Sequence, residues 1–477
     1  MTLIASPQPP TESRTKLVRT VIVLAGAVAV FSTNTYLTTS LLPSVLADIG
    51  GERYYAWTAT AFLVASVFTS MLVSRLLLRL GTRDAMTLGV TVFGVGSLVC
   101  MLSPSIWVLL AGRLIQGLGG GLMSGLGLTV MRLALPERMW PRTLAVISAM
   151  WGIGNLTGPS LGGAFAQIGQ WRMGFLAMTL AAAALVLLSV LGLPRERGDG
   201  SAEPLPAGSL TLLTTAATAV SVAGIVAKGW PTALVLVAGV ALAVAFLARE
   251  RVARIRILPA LTFRPDSSLR WCYLGVAGLT VGLTTETFVP LFGQRLGGLS
   301  PLLAGFLGAA FSAGWSVAQF AAAGFPGERA TRVLRLGGPI VLVLGLAATT
   351  ALQRTHPSGA LVAAWAVTLM IAGSGIGVGY SRFAFAAMAS TTDVEEASKA
   401  SAGLNIVQVI TTAFGSALGG VLVNLGEPSI ARSAQLLYGG VAVLALAGVA
   451  AAVHLRRLDA SAAQAHMPKL AEEASRA

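Results

Sequence analysis

Charged residues are scarce in this 477-residue chain: Asp, Glu, Lys and Arg make up 11% of it, whereas 55% of the residues are apolar. A soluble domain carries about 25% charged residues, so this composition argues against a water-soluble protein. The mean hydropathy is +0.77. We therefore expect an all-α membrane protein, because helices satisfy their own backbone hydrogen bonds in lipid.

Cysteine and histidine are also rare, with two and three residues respectively. No disulfide framework or cysteine-spaced metal site can be built from them. His356, His454 and His466 fall in an outer loop, a span end and the C-terminal tail, and no GxxxxGK[ST] sequence occurs to bind phosphates. We therefore expect neither an enzyme nor an ATP-driven pump, and no catalytic residues, metal or cofactor.

The net charge of +14 does not indicate nucleic-acid binding. The basic residues lie in short loops between apolar segments, not in a patch interleaved with aromatic residues. Most of them fall on one side of the membrane when the N-terminus is placed in the cytoplasm. This bias predicts that both termini are cytoplasmic and that the protein lies in the inner (cytoplasmic) membrane.

Fourteen apolar segments approach or exceed the roughly 20 residues that are needed to cross a bilayer. The predicted spans are residues 19–45, 56–78, 84–103, 106–132, 143–168, 172–193, 210–227, 231–248, 270–292, 301–323, 333–353, 358–388, 400–425 and 432–455. The seventh and eighth are the shortest. Either both of them cross, or one lies at the membrane surface. A chain that omits both has twelve spans and the same orientation elsewhere.

A sequence repeat divides these spans into two halves. Gly158–Gly163 (GPSLGG) in span five recurs as Gly415–Gly420 (GSALGG) in span thirteen, 257 residues later. Two homologous six-helix halves indicate a transporter whose halves rock about a central site. The predicted divisions are a cytoplasmic N-terminal tail (1–17), a first six-helix half (18–193), a linker (194–209), two inserted helices (210–248), a basic cytoplasmic loop (249–269), a second six-helix half (270–456) and a cytoplasmic tail (457–477).

Span five contains the most specific motif, at Gly152–Gly163. Its glycines spaced by four allow close helix contact, and its proline permits bending. This segment resembles the antiporter motif of the major facilitator superfamily, and residues 18–456 resemble that family's fourteen-span drug:proton antiporters. The motif positions are Gly154, Gly158, Pro159, Gly162 and Gly163. The resemblance implies the major facilitator fold and proton-coupled export of amphipathic small molecules by alternating access.

Two departures from the family pattern concern acidic residues. Fourteen-span members commonly have an aspartate nine residues before a proline in span one, whereas here Asn34 precedes Pro43. The gating motif after span two has Leu78 at its acid position. The recognisable gate residues are Arg79, Gly81 and Arg83 in the first half, and Gly324, Glu328, Arg329 and Arg332 in the second. We expect the cytoplasmic gate to depend on the second copy, unless these arginines only set topology.

Glu286, in span nine, is the one carboxyl group that is predicted well inside a span. Such a group is costly in lipid and marks an ion pathway or a proton relay. Glu286 is therefore the leading candidate for proton coupling, unless it is a water-exposed residue at the cavity mouth. Arg113 in span four matches the family's proton-relay arginine. We expect it either to face Glu286 across the cavity or to extend toward the outer interface.

Further polar residues inside spans are candidates for the substrate cavity, or for ordinary hydrogen bonds between helices. They are Asn34, Tyr36, Gln116, Asn155, Tyr380, Arg382, Asn405 and Gln408. The expected partners are a small-molecule substrate, protons and the lipid bilayer, and we expect a monomer that binds no nucleic acid. The basic residues 249–270 either attract anionic lipid or only set topology.

Two other functions are compatible with the sequence. One is transport of a single specific metabolite, which would be anionic in view of Arg113 and Arg382. The other is a non-transporting membrane sensor or scaffold, which the missing acids at Asn34 and Leu78 leave open. The glycine–proline motif of span five argues against the second, because a scaffold has no need of a pliable, closely packed helix.

Overall fold

The computed structural model describes residues 14–193, 195, 206–226, 229–264, 267–325, 327–390 and 394–476; most of the predicted N-terminal tail and linker lies outside them. Within these ranges the chain is helical almost throughout and has no strand. The helices are α1 (Arg14–Ile49), α2 (Tyr55–Ser70), α3 (Val73–Met101), α4 (Ile106–Ala134), α5 (Trp140–Gln167), α6 (Trp171–Gly192), α7 (Ala207–Ala223), α8 (Trp230–Val252), α9 (Leu269–Thr280), α10 (Leu283–Glu286), α11 (Val289–Arg295), α12 (Pro301–Ala323), α13 (Glu328–Leu352), α14 (Gly359–Met388), α15 (Val394–Gly426) and α16 (Ile430–Arg476). Short 3-10 helices occur at Glu52–Tyr54, Glu137–Met139 and Ala260–Phe263.

Eleven helical segments of the described chain are long and apolar enough to cross a membrane. Each of the fourteen predicted spans overlaps a helix, and the three outside the eleven are α2, α5 and α7. Helices α2 and α7 have 16 and 17 residues, somewhat below the length of about 20 residues that a span needs. The structure therefore has a helix at each of the fourteen predicted spans. Eleven of these fourteen have the length and hydropathy that are needed to cross a membrane.

The boundary between the second and third predicted spans differs from expectation. Helix α2 ends at Ser70, and α3 begins at Val73. Within α3, Gly81 has a φ of 80° and a ψ of 174°, which interrupts the helix. Glycine adopts this positive φ without the strain that a Cβ would cause. Gly81, which was predicted as a gate residue, thus forms the turn between the two spans.

The predicted ninth span, residues 270–292, falls within one segment that is long and apolar enough to cross a membrane, Leu269–Arg295. The structure divides this segment into α9, α10 and α11. Pro290 lies at the start of α11. Proline has no backbone N–H, so the carbonyl of Glu286, four residues earlier, cannot accept the usual helical hydrogen bond. The backbone nitrogen of Phe288 instead donates to the carbonyl of Thr285 at 3.0 Å. The helix therefore breaks at Glu286.

The same helix pairings occur twice, in a first half formed by α1–α6 and a second half formed by α9–α16. Helix α3 packs on α4 as α13 packs on α14, and α2 packs on α4 as α12 packs on α14. A Cβ built on Gly119 would lie 2.2 Å from the backbone nitrogen of Phe93, and one on Gly375 would lie 2.4 Å from that of Leu342. Because only glycine fits so close a contact, Gly119 of α4 and Gly375 of α14 hold equivalent helix pairs together.

The seam between the halves is formed by α2 against α15 and by α5 against α12, with α1 reaching α11 and α12. Helices α7 and α8 pack on each other, and α7 also contacts α2 and α15. Trp57 Nε1 on α2 donates to the carbonyl of Ser221 on α7 at 3.0 Å. Asn424 Nδ2 on α15 donates to the carbonyl of Gly224, just after α7. The inserted helices therefore lie beside the seam and contact both halves.

Candidate transport site

The helix break at Glu286 lies where the two halves meet. The carboxyl group is partly buried, and its Oε1 accepts a hydrogen bond from the Ser312 hydroxyl of α12. Ser312 Oγ in turn accepts from the hydroxyl of Tyr36, on α1 of the first half, at 2.9 Å. A chain of two hydrogen bonds therefore connects the first half to the candidate proton carrier. Nothing in the sequence distinguishes Ser312 from the other small residues of α12.

Arg113 is buried within the first half. Its Nε donates to the carbonyl of Thr58 at 3.0 Å, and its guanidinium lies 4.4 Å from the centre of the Phe62 ring. One terminal nitrogen donates to Thr38 Oγ1 at 3.4 Å. No ion pair within 4.0 Å joins Arg113 to Glu286, although both side chains are described. In this conformation the Arg113 guanidinium is instead surrounded by acceptors of its own half.

Asn34, Arg113 and Gln116 form one polar cluster. Arg113 donates to Gln116 Oε1, and Gln116 Nε2 donates to Asn34 Oδ1 at 2.9 Å and to Ser97 Oγ at 2.8 Å. Asn34 Nδ2 is buried without a hydrogen-bond partner among the described residues. The cluster contains no carboxylate, so the charge of Arg113 is held only by neutral acceptors and an aromatic ring.

The other cavity candidates occupy separate positions. The Tyr380 hydroxyl donates to Gln408 Oε1 at 2.9 Å, within the second half. Asn155 Nδ2 donates across the seam to the carbonyl of Ala309 at 3.4 Å, and its Oδ1 is buried without a partner in the described chain. The side chain of Asn405 lies outside the described residues. Asn155 is therefore a polar contact between α5 and α12.

Arg382 lies at the cytoplasmic end of the second half in the predicted orientation. Its guanidinium donates to the carbonyls of Ala322, at 2.5 Å, and Phe325, at 3.1 Å, and to Thr331 Oγ1 at 3.3 Å. Ala322 lies in the last turn of α12 and Phe325 follows the helix, at the end where the helix dipole favours a cation. The contacts made by Arg382 are thus those of a helix cap rather than of a cavity residue.

The antiporter-motif glycines form two packing faces of α5. A Cβ on Gly154 would lie 2.1 Å from Ser32 Oγ, and one on Gly162 would lie 2.6 Å from the carbonyl oxygen of Leu37, so this face packs on α1. A Cβ on Gly163 would lie 2.5 Å from the Cα of Leu302, on α12 of the other half. Pro159 also borders α12. The motif therefore fixes α1 on one side and contacts the opposite half on the other.

The predicted gate residues lie near the helix ends of their own halves. Arg79 and Arg329 are exposed, Arg83 is partly buried, and Gly324 follows the last residue of α12. Glu328 and Arg332 form an ion pair of 4.0 Å within α13, with side chains 94% and 51% exposed. An exposed pair of this kind contributes about 0.3–0.5 kcal/mol. This contact stays within one helix, so it does not join the halves in this conformation.

An ion pair that the sequence reasoning missed joins the halves at the opposite end. Both oxygens of Glu52, between α1 and α2, accept from the guanidinium of Arg295, at the end of α11. The sequence indicates this ion pair only weakly. It shows one acidic residue and one of the few basic residues of the outer loops, and the two belong to opposite halves. The Arg295 guanidinium holds the pKa of Glu52 below its usual range by hydrogen bonding. Glu52 therefore stays ionised at neutral pH.

Further contacts between the halves surround this ion pair. The Tyr55 hydroxyl donates to the carbonyl of Thr287 at 3.0 Å, one residue beyond Glu286. Asn424 Nδ2 donates to the carbonyl of Arg53 at 3.3 Å. The halves are thus held together by polar contacts at the end that the loop charges predict to be extracellular.

The fold and this site define a transporter class: two helical halves meet at a seam that holds a carboxyl group and closes at one end. The Major Facilitator Superfamily matches residues 24–390. The chain belongs to this superfamily, and it is an integral multi-pass membrane protein.

Relatives of this chain are described as efflux transporters. A probable multidrug-efflux transporter of Mycobacterium tuberculosis is 41% identical over 447 residues, which cover 92% of this chain and 95% of the relative. An efflux pump of Dothistroma septosporum is 27% identical over 91% of this chain and 76% of the pump. A multidrug efflux pump of Staphylococcus aureus is 27% identical over 37% of this chain and 39% of its own length.

Solved transporter structures share the fold. A POT family transporter in complex with a thioalcohol-conjugated peptide has a TM-score of 0.66 and 16% identity, covering 92% of this chain and 96% of the other. The nucleoside transporter NupG has a TM-score of 0.60 and 13% identity, covering 92% and 99%. At such identities the likeness concerns the fold alone.

The ion pair of Glu52 and Arg295 leads to a prediction about closure of the halves at the end that the loop charges predict to be extracellular. We expect Glu52→Gln to shift the equilibrium toward separation of the halves here by up to about fivefold, because partly exposed ion pairs contribute about 0.2–1 kcal/mol. The distance between spin labels at Leu102 and Thr355, exposed on opposite halves, measures the change.

The control exchanges the two charges, as Glu52→Arg with Arg295→Glu, and should restore the short distance. The ion pair stabilises the closed end fully above the ordinary pKa of glutamate. This stabilisation is lost as the pH falls through the lowered pKa of Glu52. An unchanged distance in Glu52→Gln at neutral pH and low salt contradicts a closing role for this pair.

Proposed function

We propose that this protein is a proton-coupled exporter of amphipathic small molecules that works by alternating access in the inner (cytoplasmic) membrane. The observation that carries the proposal is the position of Glu286. This carboxyl group lies at a helix break, on the seam between the halves, and is linked to the first half through Ser312 and Tyr36. Broken helices in transporters commonly form ion and substrate sites. The multidrug-efflux relatives support the substrate class and the direction.

A carboxyl group in this position is suited to binding and releasing one proton per cycle. No Lys, Arg or His of the described chain forms an ion pair with Glu286 within 4.0 Å. Burying an unpaired ion costs several kcal/mol, whereas hydration of the cavity reduces this cost. Opening to either side therefore allows proton exchange with that side. A cationic substrate near Glu286 can replace the proton, which couples the two fluxes.

The proposed orientation places the described closure at the extracellular end. The contacts made by Glu52, Tyr55 and Asn424 then seal the outside. In this state Glu286 exchanges its proton with the cytoplasmic side. Alternating access requires these contacts to break when the cavity opens outward.

We also propose fourteen spans with both termini cytoplasmic, in the manner of the drug:proton antiporters. Helix α8 has the length and hydropathy of a span. Helix α7 is shorter, but it packs along α8 and against α2 and α15, which are themselves predicted to cross. In the fourteen-span arrangement α7 carries the chain outward and α8 returns it to the cytoplasm, where the basic loop follows.

Anionic lipid is the proposed partner of that basic loop, residues 249–270. The buried carboxylate of Glu250 accepts the backbone N–H groups of Ile257 and Leu258, each at 2.8 Å, and so holds the loop in one shape. Arg251 and Arg254 remain exposed. Fixed arginines at the cytoplasmic surface attract anionic headgroups, by about 1 kcal/mol for each residue.

A monomer is sufficient for the proposed cycle, because one chain contains both halves.

Arg113 favours a second candidate, transport of one anionic metabolite. Its buried guanidinium has no carboxylate partner within 4.0 Å in the described chain. An anionic group of a substrate could neutralise it. The buried, unpartnered Nδ2 of Asn34 in the same cluster adds a hydrogen-bond donor. A saturable flux that requires a carboxylate or phosphate on the substrate distinguishes this function from multidrug export.

The proton site predicts the behaviour of Glu286→Gln in proteoliposomes. With an imposed pH gradient, we expect accumulation of ethidium, a lipophilic cation, to fall to that of protein-free liposomes, because the amide cannot exchange a proton. Ethidium exchange without a pH gradient should persist, because the seam and cavity are unchanged in shape.

The control is Asp48→Asn, which removes an exposed carboxylate whose partners, Trp171 and Arg172, lie in its own half, and it should leave both activities intact. Gradient-driven accumulation by Glu286→Gln at the parent level would show that the proton is carried elsewhere.

The span count predicts the location of the connection between α7 and α8. Alkaline phosphatase, which is active only outside the cytoplasm, should be active when fused after Gly229 and inactive when fused after Arg195 or Ala253. The fourteen-span arrangement places Gly229 alone of the three outside. Inactive enzyme at all three positions would instead support twelve spans.

A further inference from the structure

We propose that Tyr36 is a positioning residue for proton release. By holding the Ser312 hydroxyl as a hydrogen-bond donor to Glu286, it allows Glu286 to lose its proton while the outer end is closed. This inference rests on the proposed proton site at Glu286 and adds a residue of the opposite half to it.

The directions of the two hydrogen bonds carry the argument. A serine hydroxyl has one proton to donate and two lone pairs that accept. Ser312 Oγ donates that proton to Glu286 Oε1, so it is free to accept from the Tyr36 hydroxyl at 2.9 Å. Without this donor, Ser312 can turn its proton to a helical carbonyl instead. Donors to the ionised form of a carboxyl group favour proton release.

The chain depends on conformation because it crosses the seam. Tyr36 lies on α1 in the first half, whereas Ser312 and Glu286 lie on α12 and α10 in the second. When the halves separate at the outer end, Tyr36 moves away and Ser312 loses its donor. Glu286 then holds its proton more tightly toward the outside. Closure restores the chain and favours release toward the cytoplasm, which is the direction an exporter needs.

Close packing fixes the position of Tyr36. The residue is buried, and a Cβ built on Gly158 of the antiporter motif would lie 2.4 Å from the Cβ of Tyr36. Four residues further along α1, Ser40 lies against Gly305 of α12, whose built Cβ would be 2.7 Å from Ser40 Oγ. Helix α1 is therefore held between α5 and α12 at the height where Tyr36 meets Ser312. The glycines of the antiporter motif therefore help to fix the position of the Tyr36 hydroxyl, which donates to Ser312.

Few other titratable groups face Glu286. From the helices that pack on α10 and α11 these are Tyr36 on α1, Tyr55 on α2 and Tyr438 on α16, and Arg295 follows on α11 itself. Helix α12 and residues 404–426 of α15 contain no titratable residue. Tyrosine and arginine ordinarily ionise near pH 10 and above pH 12. A titration between roughly pH 5 and 9 at this site therefore belongs to Glu286.

The experiment requires a protein that is locked with its outer end closed. Glu52→Cys and Arg295→Cys, joined by a short bismaleimide, replace the ion pair with a covalent link. Cys100→Ala and Cys272→Ala remove the two buried native thiols. The substitutions also remove the charges of Glu52 and Arg295, which simplifies the titration.

Infrared spectroscopy of this full-length cross-linked protein follows the protonated-carboxyl band that Glu286→Gln removes. We expect Tyr36→Phe to raise the midpoint of the band by about one pH unit or more, equivalent to at least about tenfold in proton affinity, because the ionised carboxyl loses hydrogen-bond support. Ser312→Ala should shift it in the same direction.

Tyr55→Phe is the matched control. It removes the same atom from another hydroxyl that crosses the seam, but this hydroxyl donates to the backbone carbonyl of Thr287 rather than to the chain that ends at Glu286. We expect the midpoint of the protonated-carboxyl band in Tyr55→Phe to equal that of the cross-linked protein without this substitution. A purely structural role of Tyr36 would affect cross-linking or stability and leave the midpoint in place.

The outcomes separate the two proposals. An unchanged or lowered midpoint in Tyr36→Phe, or an equal shift in Tyr55→Phe, overturns the role of Tyr36 and leaves the proton site at Glu286 intact. If Glu286→Gln removes no titrating band, the proton site is wrong, and the role of Tyr36 falls with it.

Discussion

Close backbone contact at glycines is the interaction on which the rest of this structure depends. Apolar side chains gain little by leaving lipid for one another, so helices in a bilayer associate through tight packing and hydrogen bonds. A Cβ on Gly373 would lie 1.8 Å from the carbonyl oxygen of Phe311, and one on Gly119 would lie 2.2 Å from the backbone nitrogen of Phe93. These contacts hold the helices of each half closely together. The proposed cycle therefore places its movement at the seam, where Glu286 and its hydrogen-bonded partners lie.

Polar groups at the seam serve two purposes. The outer ion pair of Glu52 and Arg295 is partly exposed, so it is weak and can break in each cycle. Deeper in the seam, Tyr36 reaches Glu286 through Ser312, and no basic residue of the described chain forms an ion pair with Glu286 within 4.0 Å. In the proposed cycle, the first contact responds to separation of the halves, and the second relates that separation to proton binding at Glu286.

Local properties of the chain could be predicted from its sequence, whereas contacts between distant segments could not. Apolar length located a helix at each predicted span, and a lone acid in an apolar segment singled out Glu286 as the candidate proton carrier, which stays a prediction. The partners of Arg113 and Arg382 depend on helix packing; the first is satisfied inside its own half, and the second at the end of α12. Glu52 and Arg295 are 243 residues apart, and no pattern relates them. Only the fold shows which of these groups contact one another.

Proton movement driven by substrate tests the central claim most directly. Proteoliposomes that contain the parent protein and a pH-sensitive dye are given an ethidium gradient with no initial pH difference. If one site between rocking halves exchanges substrate for protons, ethidium flowing down its gradient must drive protons the opposite way, and the dye will report a pH difference of that sign. Ethidium flux without proton movement, or with protons moving in the same direction, would contradict the account.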